Sequence, residues 1–336
     1  MCRCGEGGGI ELCSCHLSFL WRAWKLLKVV VKHVQYYTVI SGETKAVDRH
    51  LKYGKERHMK ISASYWMFEG GLEAQRPIAD AMQEAKRLGF DAIELAVASK
   101  GVLTHEATQA QCDDIVAKAN EIGIEISSLA SGENWTCSPT SNDPDVRQNS
   151  IQFNRMAIQI AKWLGTDAYL YVPGAVDVFF LPEAEVIPYD VCLQRAGEAI
   201  HQILPTAKEA GVALCIENVW NKFLLSPIEM RDFIDRFHAQ AVGVYFDVGN
   251  VLLTGYPDQW IRILGRRIKR VHVKDFKRSV GTVEGFVDLL EGDVDFEAIK
   301  AALVDIGYDG YVTAEMLPFE LGRPEKTAHA MKDIFM

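Results

Sequence analysis

The sequence predicts a (β/α)8 barrel, and three observations carry that prediction. From Met59 to the C-terminus, short and continuously apolar runs alternate with longer stretches of helical period. Several of those helical stretches stop at a glycine, which suits a left-handed C-cap. The last four apolar runs each break off at a residue with metal-ligand chemistry: Glu217, Asp247, His272 and Glu315. Strands that are apolar throughout belong to a parallel sheet covered on both faces. Eight strand–helix units close a barrel, usually of about 250 residues. An open doubly wound sheet is the alternative, but no G-x-G-x-x-G follows the first strand.

The elements follow in order. The first strand is read over Lys60–Met67. A helix over Glu73–Leu88 places Ile78, Met82, Ala85 and Leu88 on one face and stops at Gly89. Asp91–Val97 is the second strand, and Thr108–Ile122 is a helix ending at Gly123. Ile124–Ala130 is the third strand, followed by a helix over Pro144–Leu164 that ends at Gly165. Asp167–Val172 is the fourth strand, and Tyr189–Ala210 is a helix stopping at Gly211. Then come the strand that ends on Glu217, a helix over Pro227–Phe237 and the strand that ends on Asp247. A short helix over Pro257–Leu264 leads to the strand that carries His272. After a long loop, the helix Phe296–Ile306, the strand to Glu315 and a helix from Glu325 complete the chain.

Residues 1–58 differ in kind. They hold ten Lys/Arg against five Asp/Glu, while the whole chain has a net charge of −9. Cys2/Cys4 and Cys13/Cys15 are C-x-C pairs, not the C-x-x-C of a zinc knuckle. Leu17–Tyr37 is apolar but broken by Arg22, Lys25, Lys28 and Lys32, so an amphipathic surface helix is its nearest reading. Residues 1–58 are therefore expected to be a non-catalytic N-terminal extension, with Met59 as a natural start, and residues 59–336 the catalytic barrel. The acidic balance argues against a nucleic-acid partner, which needs a basic face. No stretch reads as a membrane span or a signal peptide. Cys112, Cys137, Cys192 and Cys215 have no paired spacing and read as reduced thiols of a cytoplasmic protein.

In a parallel barrel the C-terminal strand ends meet at one mouth, where the site lies. Neighbouring strands are about 4.8 Å apart, so Glu217, Asp247, His272 and Glu315 can surround one ion. Taken singly, a strand-end carboxylate is usually solvated and a lone histidine is a satisfied polar group. Taken together, three clustered carboxylates would repel one another without a cation. An oxygen-rich set with one imidazole suits Mn²⁺ first, with Mg²⁺, Co²⁺ and Zn²⁺ also compatible.

Four segments then carry a resemblance: Ile216-Glu-Asn-Val-Trp220, Phe246-Asp-Val-Gly-Asn250, Val271-His-Val-Lys-Asp275 and Thr313-Ala-Glu315. Leu290-Glu-Gly-Asp-Val-Asp295 and Ile306-Gly-Tyr-Asp-Gly-Tyr311 add to it. From Met59 to about Pro324 the chain resembles the xylose isomerase-like TIM-barrel superfamily, within it the sugar-phosphate isomerase/epimerase and ketose 3-epimerase group. The resemblance implies one divalent ion held by Glu217, Asp247, His272 and Glu315. It implies that Glu217 and Glu315 act as acid and base around a metal-stabilised enediolate of a ketose or ketose phosphate. Two bases on opposite faces invert a carbon; proton transfer on one face interconverts aldose and ketose. Expected partners are a small sugar or sugar phosphate and further copies of the chain, as a dimer or tetramer.

The chain departs from the epimerase pattern at Asn250, where a histidine is usual, and at Phe223, where a second glutamate is frequent. Asn250 is still an expected substrate contact. Arg278 matches a substrate-contacting arginine of the group. Lys274, Lys277 and Arg278 form a basic cluster that suits a phosphate, with surface charge as the alternative. Lys274 shares the face of His272 if the strand continues. Trp66 and Trp135 at the mouth and His105 after strand two are the other expected substrate contacts. Glu94 falls mid-strand and reads either as a site residue or as a buried partner. Gly281–Phe286 reads as part of a lid. A dehydratase of inosose or dehydroshikimate type and a non-enzymatic sugar-binding barrel are the competing readings. A DNA-repair endonuclease on this fold is disfavoured, because only His272 among the barrel's histidines sits at a strand end.

Overall fold

The computed structural model describes residues 59–181 and 183–336. The expected extension, with its cysteine pairs and amphipathic stretch, lies outside the described residues. Eight parallel strands close the barrel: β1 (Lys60–Ser64), β2 (Ala92–Ala96), β3 (Glu125–Ala130), β4 (Ala168–Tyr171), β5 (Ala213–Glu217), β6 (Val242–Asp247), β7 (Ile268–Val273) and β10 (Tyr311–Ala314). The circuit closes because β1 pairs with β2 on one side and β10 on the other. Between β7 and β10, β8 (Asp275–Phe276) and β9 (Phe286–Val287) form a short antiparallel ribbon.

Outside run α1 (Ile78–Leu88), α2 (Gln109–Ile122), α3 (Pro144–Trp163), α4 (Tyr189–Ala210), α5 (Pro227–Asp235), α6 (Pro257–Leu264), α7 (Phe296–Asp305) and α8 (Arg323–Phe335). Local chemistry sets their ends. Thr108 and Gln111 make a capping box, and Asp143 and Ser226 cap helices that open on proline. Gly89, Gly123 and Gly211 close α1, α2 and α4 in the left-handed conformation.

Two sequence boundaries move by three residues or more, and the others by two at most. The first strand stops at Ser64, and Tyr65–Met67 forms a 3-10 turn capped by the Ser64 side chain. The first helix starts at Ile78, not Glu73, because Pro77 lacks the amide to continue a helix backwards and occupies the cap position.

Strand parity divides the core. Ala130, Leu170, Val172, Cys215 and Tyr245 belong to a buried cluster separate from the larger one that joins strands to helices. At the far end Arg270 donates from Nε to the Ser127 carbonyl at 2.8 Å and pairs with Asp167. The ladder slips by one residue at two places, between Ile93 and Glu94 against β3 and between Val244 and Tyr245 against β7. Such irregularities re-aim side chains, and both fall beside Glu94 and Tyr245, which meet inside the barrel.

Gly281–Phe286, expected to be part of a lid, leads from β8 into β9 and belongs to their ribbon. The ribbon is pinned by Asp275, whose buried carboxylate accepts from the backbone amides of Phe276, Gly292 and Val294. A Cβ on Gly292 would lie 2.1 Å from Asp275 Oδ1, so the loop approaches the carboxylate as only glycine allows.

Candidate active site

Glu217 ends β5, Asp247 ends β6, His272 lies near the end of β7, and Glu315 follows β10. These four strands are consecutive around the barrel. Their ligand-type atoms lie within 4.8 Å of one another, and all four residues are buried. His272 Nδ1 is 3.1 Å from Glu217 Oε1 and 3.1 Å from Glu315 Oε2. Lys274, just past the end of β7, brings Nζ to 3.1 Å from Asp247 Oδ2 and 2.5 Å from Glu315 Oε2.

The environment separates the two glutamates. Burial raises the Glu217 carboxyl to about 7, and the Glu315 charge adds to that. Burial opposes ionisation of Glu315 too, but His272 and Lys274 outweigh it and bring Glu315 down to about 2. Asp247 is raised by burial despite Lys274. Burial would lower His272, yet Glu315 and Glu94 hold its imidazolium well above the usual range.

The donor set fits a divalent cation. Asp247 Oδ2 and Glu315 Oε2 are buried without a well-aligned hydrogen bond, with the Lys274 ammonium beside both and the His272 ring beside Glu315. Ligands about 2.1 Å from an Mg²⁺-sized ion sit roughly 3–4 Å from one another, which the cluster's spacing accommodates. The four residues are therefore a candidate metal-binding site.

Sequence reasoning left the role of Glu94 open. From the middle of β2 its Oε1 lies 2.9 Å from His272 Nε2. Its Oε2 accepts from Tyr245 at 2.5 Å and from Ser128 at 2.8 Å. Glu94 thus accepts from His272 Nε2 and keeps Nδ1 turned toward the carboxylates. A signal was present in the sequence: a glutamate between Ile93 and Leu95 in an apolar strand needs a buried partner. Asn218 was also missed. Its side chain exchanges two hydrogen bonds with the backbone of Asp247, at 2.8 and 2.9 Å, and ties the ends of β5 and β6 together.

Above the strand ends lies a cavity of about 720 Å³. Trp66, Trp135, Asn250, Lys274, Glu217 and Glu315 line it. The side-chain amide of Asn250 donates to the Asn218 carbonyl at 2.9 Å. Two expected contacts are not among the lining residues. Arg278 is exposed and lies over the Tyr256 ring, 5.2 Å from its centroid. His105 packs on Phe153, with ring centroids 5.3 Å apart. The basic cluster is split, with Lys274 inward and Arg278 outward.

A family model described as the xylose isomerase-like TIM barrel matches residues 82–334. The chain belongs to that family. The L-ribulose-5-phosphate 3-epimerase UlaE of Salmonella paratyphi C is 25% identical over 261 residues, covering 74% of this chain and 86% of the relative. The D-psicose 3-epimerase of Ruminiclostridium cellulolyticum is 24% identical over 259 residues, covering 76% and 82%. Against an uncharacterized protein of Methanocaldococcus jannaschii, 24% identical, the match spans 53% of this chain and 60% of the relative. Among solved structures, the D-psicose 3-epimerase of Clostridium cellulolyticum H10 with D-tagatose superposes with a TM-score of 0.66. That match has 18% identity over 82% of this xylose isomerase-like chain and 98% of the other. The barrel thus sits among carbohydrate isomerases by sequence, with their fold. Among its described residues, no helix is long and apolar enough to cross a membrane.

Proposed function

We propose that residues 59–336 form a divalent-metal-dependent isomerase that epimerises a ketose or ketose phosphate at C3. The observation that carries this reading is the meeting of Glu217, Asp247, His272 and Glu315 at the floor of a sugar-sized or larger cavity. The epimerase relatives add to it. A bound divalent ion, Mn²⁺ in our reading, would supply Lewis acidity at the substrate carbonyl.

The chain's own residues supply the proton chemistry. Glu217 and Glu315 come from β5 and β10, with β6 and β7 between them, so they approach a bound substrate from two sides. One of Glu217 and Glu315 takes the carbon-bound proton and the other returns one to the opposite face. Lys274 stays charged beside Asp247 and Glu315 and limits their repulsion. His272, oriented by Glu94, and Asp247, oriented by Asn218, complete the floor. Among the described residues, four free cysteines, three of them buried, fit a reducing compartment and support a cytoplasmic enzyme.

The test is an incubation of the Mn²⁺-loaded chain with ketoses and ketose 5- and 6-phosphates in D₂O, read by NMR. Deuterium is expected at C3, and a chelator should abolish the exchange. Deuterium at C1 alone would make the enzyme an aldose–ketose isomerase. Loss of water from the product would establish a dehydratase instead. No exchange with any sugar would remove the epimerase reading.

A further inference from the structure

The epimerase reading leaves the outer part of the cavity unused, and its chemistry is one-sided. Trp135, Phe180, Phe179, Trp220 and Phe286 form an unbroken aromatic strip along it. Successive ring centroids are 5.1, 5.2, 5.9 and 5.2 Å apart. The strip touches the site through Trp220, whose Nε1 donates to the carbonyl of Asn250 at 2.8 Å. Its middle members, Phe179 and Phe180, are 46% and 48% exposed. Large exposed aromatic surface beside a polar catalytic floor marks a place where a ligand or partner is buried.

Charge points the same way. Lining the cavity beyond the candidate metal ligands are the acids Glu133, Asp275 and Glu320. Its cations are Lys274 and Arg323, and both are neutralised. Lys274 faces Asp247 and Glu315. Arg323 pairs with Asp288 at 2.8 Å and Glu320 at 2.7 Å. Although Arg323 opens α8, where a helix N-terminus favours anions, Glu325 already occupies that first turn. A phosphate dianion needs uncommitted Arg, Lys or amide donors. Among the described residues, neither cation lining this cavity is free to meet it.

Size adds a third observation. A ketohexose has about a dozen non-hydrogen atoms, whereas cavities of this order hold drug-sized ligands. We propose that the aromatic strip is a subsite for an uncharged ring on the substrate. The substrate class is then a non-phosphorylated ketose carrying a second ring at the end remote from its carbonyl, rather than a ketose phosphate. This assignment rests on the epimerase reading for the orientation of the sugar.

Isothermal titration of the Mn²⁺-loaded full chain tests it. Each D- and L-ketohexose is offered in three forms: the free sugar, its 6-phosphate and its 6-O-benzyl ether. The proposal expects the benzyl ether to bind at least about tenfold tighter than the free sugar of the same series, and the phosphate no tighter than the free sugar. Phe180→Ala and Trp135→Ala should each shrink the benzyl-to-free ratio. Tighter binding of the phosphate, or equal binding of benzyl ether and free sugar, overturns the substrate class and leaves the epimerase reading standing. Absence of binding and of turnover across every series removes the epimerase reading, and this inference with it. If Phe180→Ala changes the sedimentation behaviour and not the affinity ratio, the strip belongs to a subunit contact and the proposal falls.

Discussion

Glu94 offers the sharpest single perturbation of the site. It touches no expected substrate position, yet it accepts from His272, Tyr245 and Ser128 in the barrel interior. In Glu94→Ala all three donors lose that acceptor. Ser128 can turn to Tyr245, 3.1 Å away, and Tyr245 to Thr313 Oγ1, 3.4 Å away, so His272 Nε2 is the group left orphaned. At about 1–3 kcal/mol for an unsatisfied buried group, a loss of that order is expected. Glu94→Gln keeps the volume and one acceptor, so it should lose less. Glu94→Ala releases the ring of His272, and Glu94→Gln loosens it, because one carbonyl oxygen then serves the donors of His272, Tyr245 and Ser128. Loss of such an outer support typically weakens a metal site about 10–100-fold. The assay is Mn²⁺ affinity by chelator competition, alongside urea unfolding of the metal-free proteins. The conservative variant, if folded, isolates the orienting effect from the stability effect. Mn²⁺ affinity within twofold of the parent in folded Glu94→Gln and Glu94→Ala would refute the reasoning.

Three further outcomes follow from the same geometry. Glu217→Gln and Glu315→Gln should each lower kcat for C3 exchange by about 10²–10⁴-fold, the usual contribution of a positioned acid or base; full activity in either would sink the two-carboxylate assignment. Metal affinity should fall as pH falls. An ion takes only a neutral imidazole, and His272 is held protonated well above its usual range by Glu315 and Glu94. Each proton displaced weakens binding by about tenfold per pH unit below that raised pKa. An Mn²⁺ affinity unchanged between pH 6 and pH 8 would count against this. Gly292→Ala should destabilise the β8–β9 ribbon by about 1–3 kcal/mol, as overpacking does, because its Cβ would meet Asp275 Oδ1 at 2.1 Å and the Phe276 amide at 2.7 Å; unchanged thermal unfolding and proteolysis of 276–294 would refute it.

Much of the barrel is legible one residue at a time. Apolar strands of four to six residues, helical stretches that end on Gly89, Gly123 and Gly211, and prolines at helix starts are all local chemistry. The boundaries that moved, at Ser64 and Ile78, are places where a cap or a proline outweighed a run of suitable residues. The candidate ligands were legible for the same reason. A polar residue that halts an apolar strand stands out, and barrel topology alone brings consecutive strand ends together.

What sequence alone determined, then, is the architecture and the identity of the cluster: Glu217, Asp247, His272 and Glu315 follow from periodicity and interruption. Tertiary structure decided who supports that cluster and who faces the cavity. Glu94 reaches His272 across 178 residues of chain, a meeting that depends on barrel closure and on register slips no local pattern encodes. Lys274 and Arg278, four residues apart, part company because one continues the inward face of β7 and the other lies beyond the turn of the ribbon. The aromatic strip joins Trp135, Phe179, Trp220 and Phe286 from separate loops that become neighbours only at the mouth. Periodicity is a property of a few consecutive residues; which inward positions touch is a property of the closed ring.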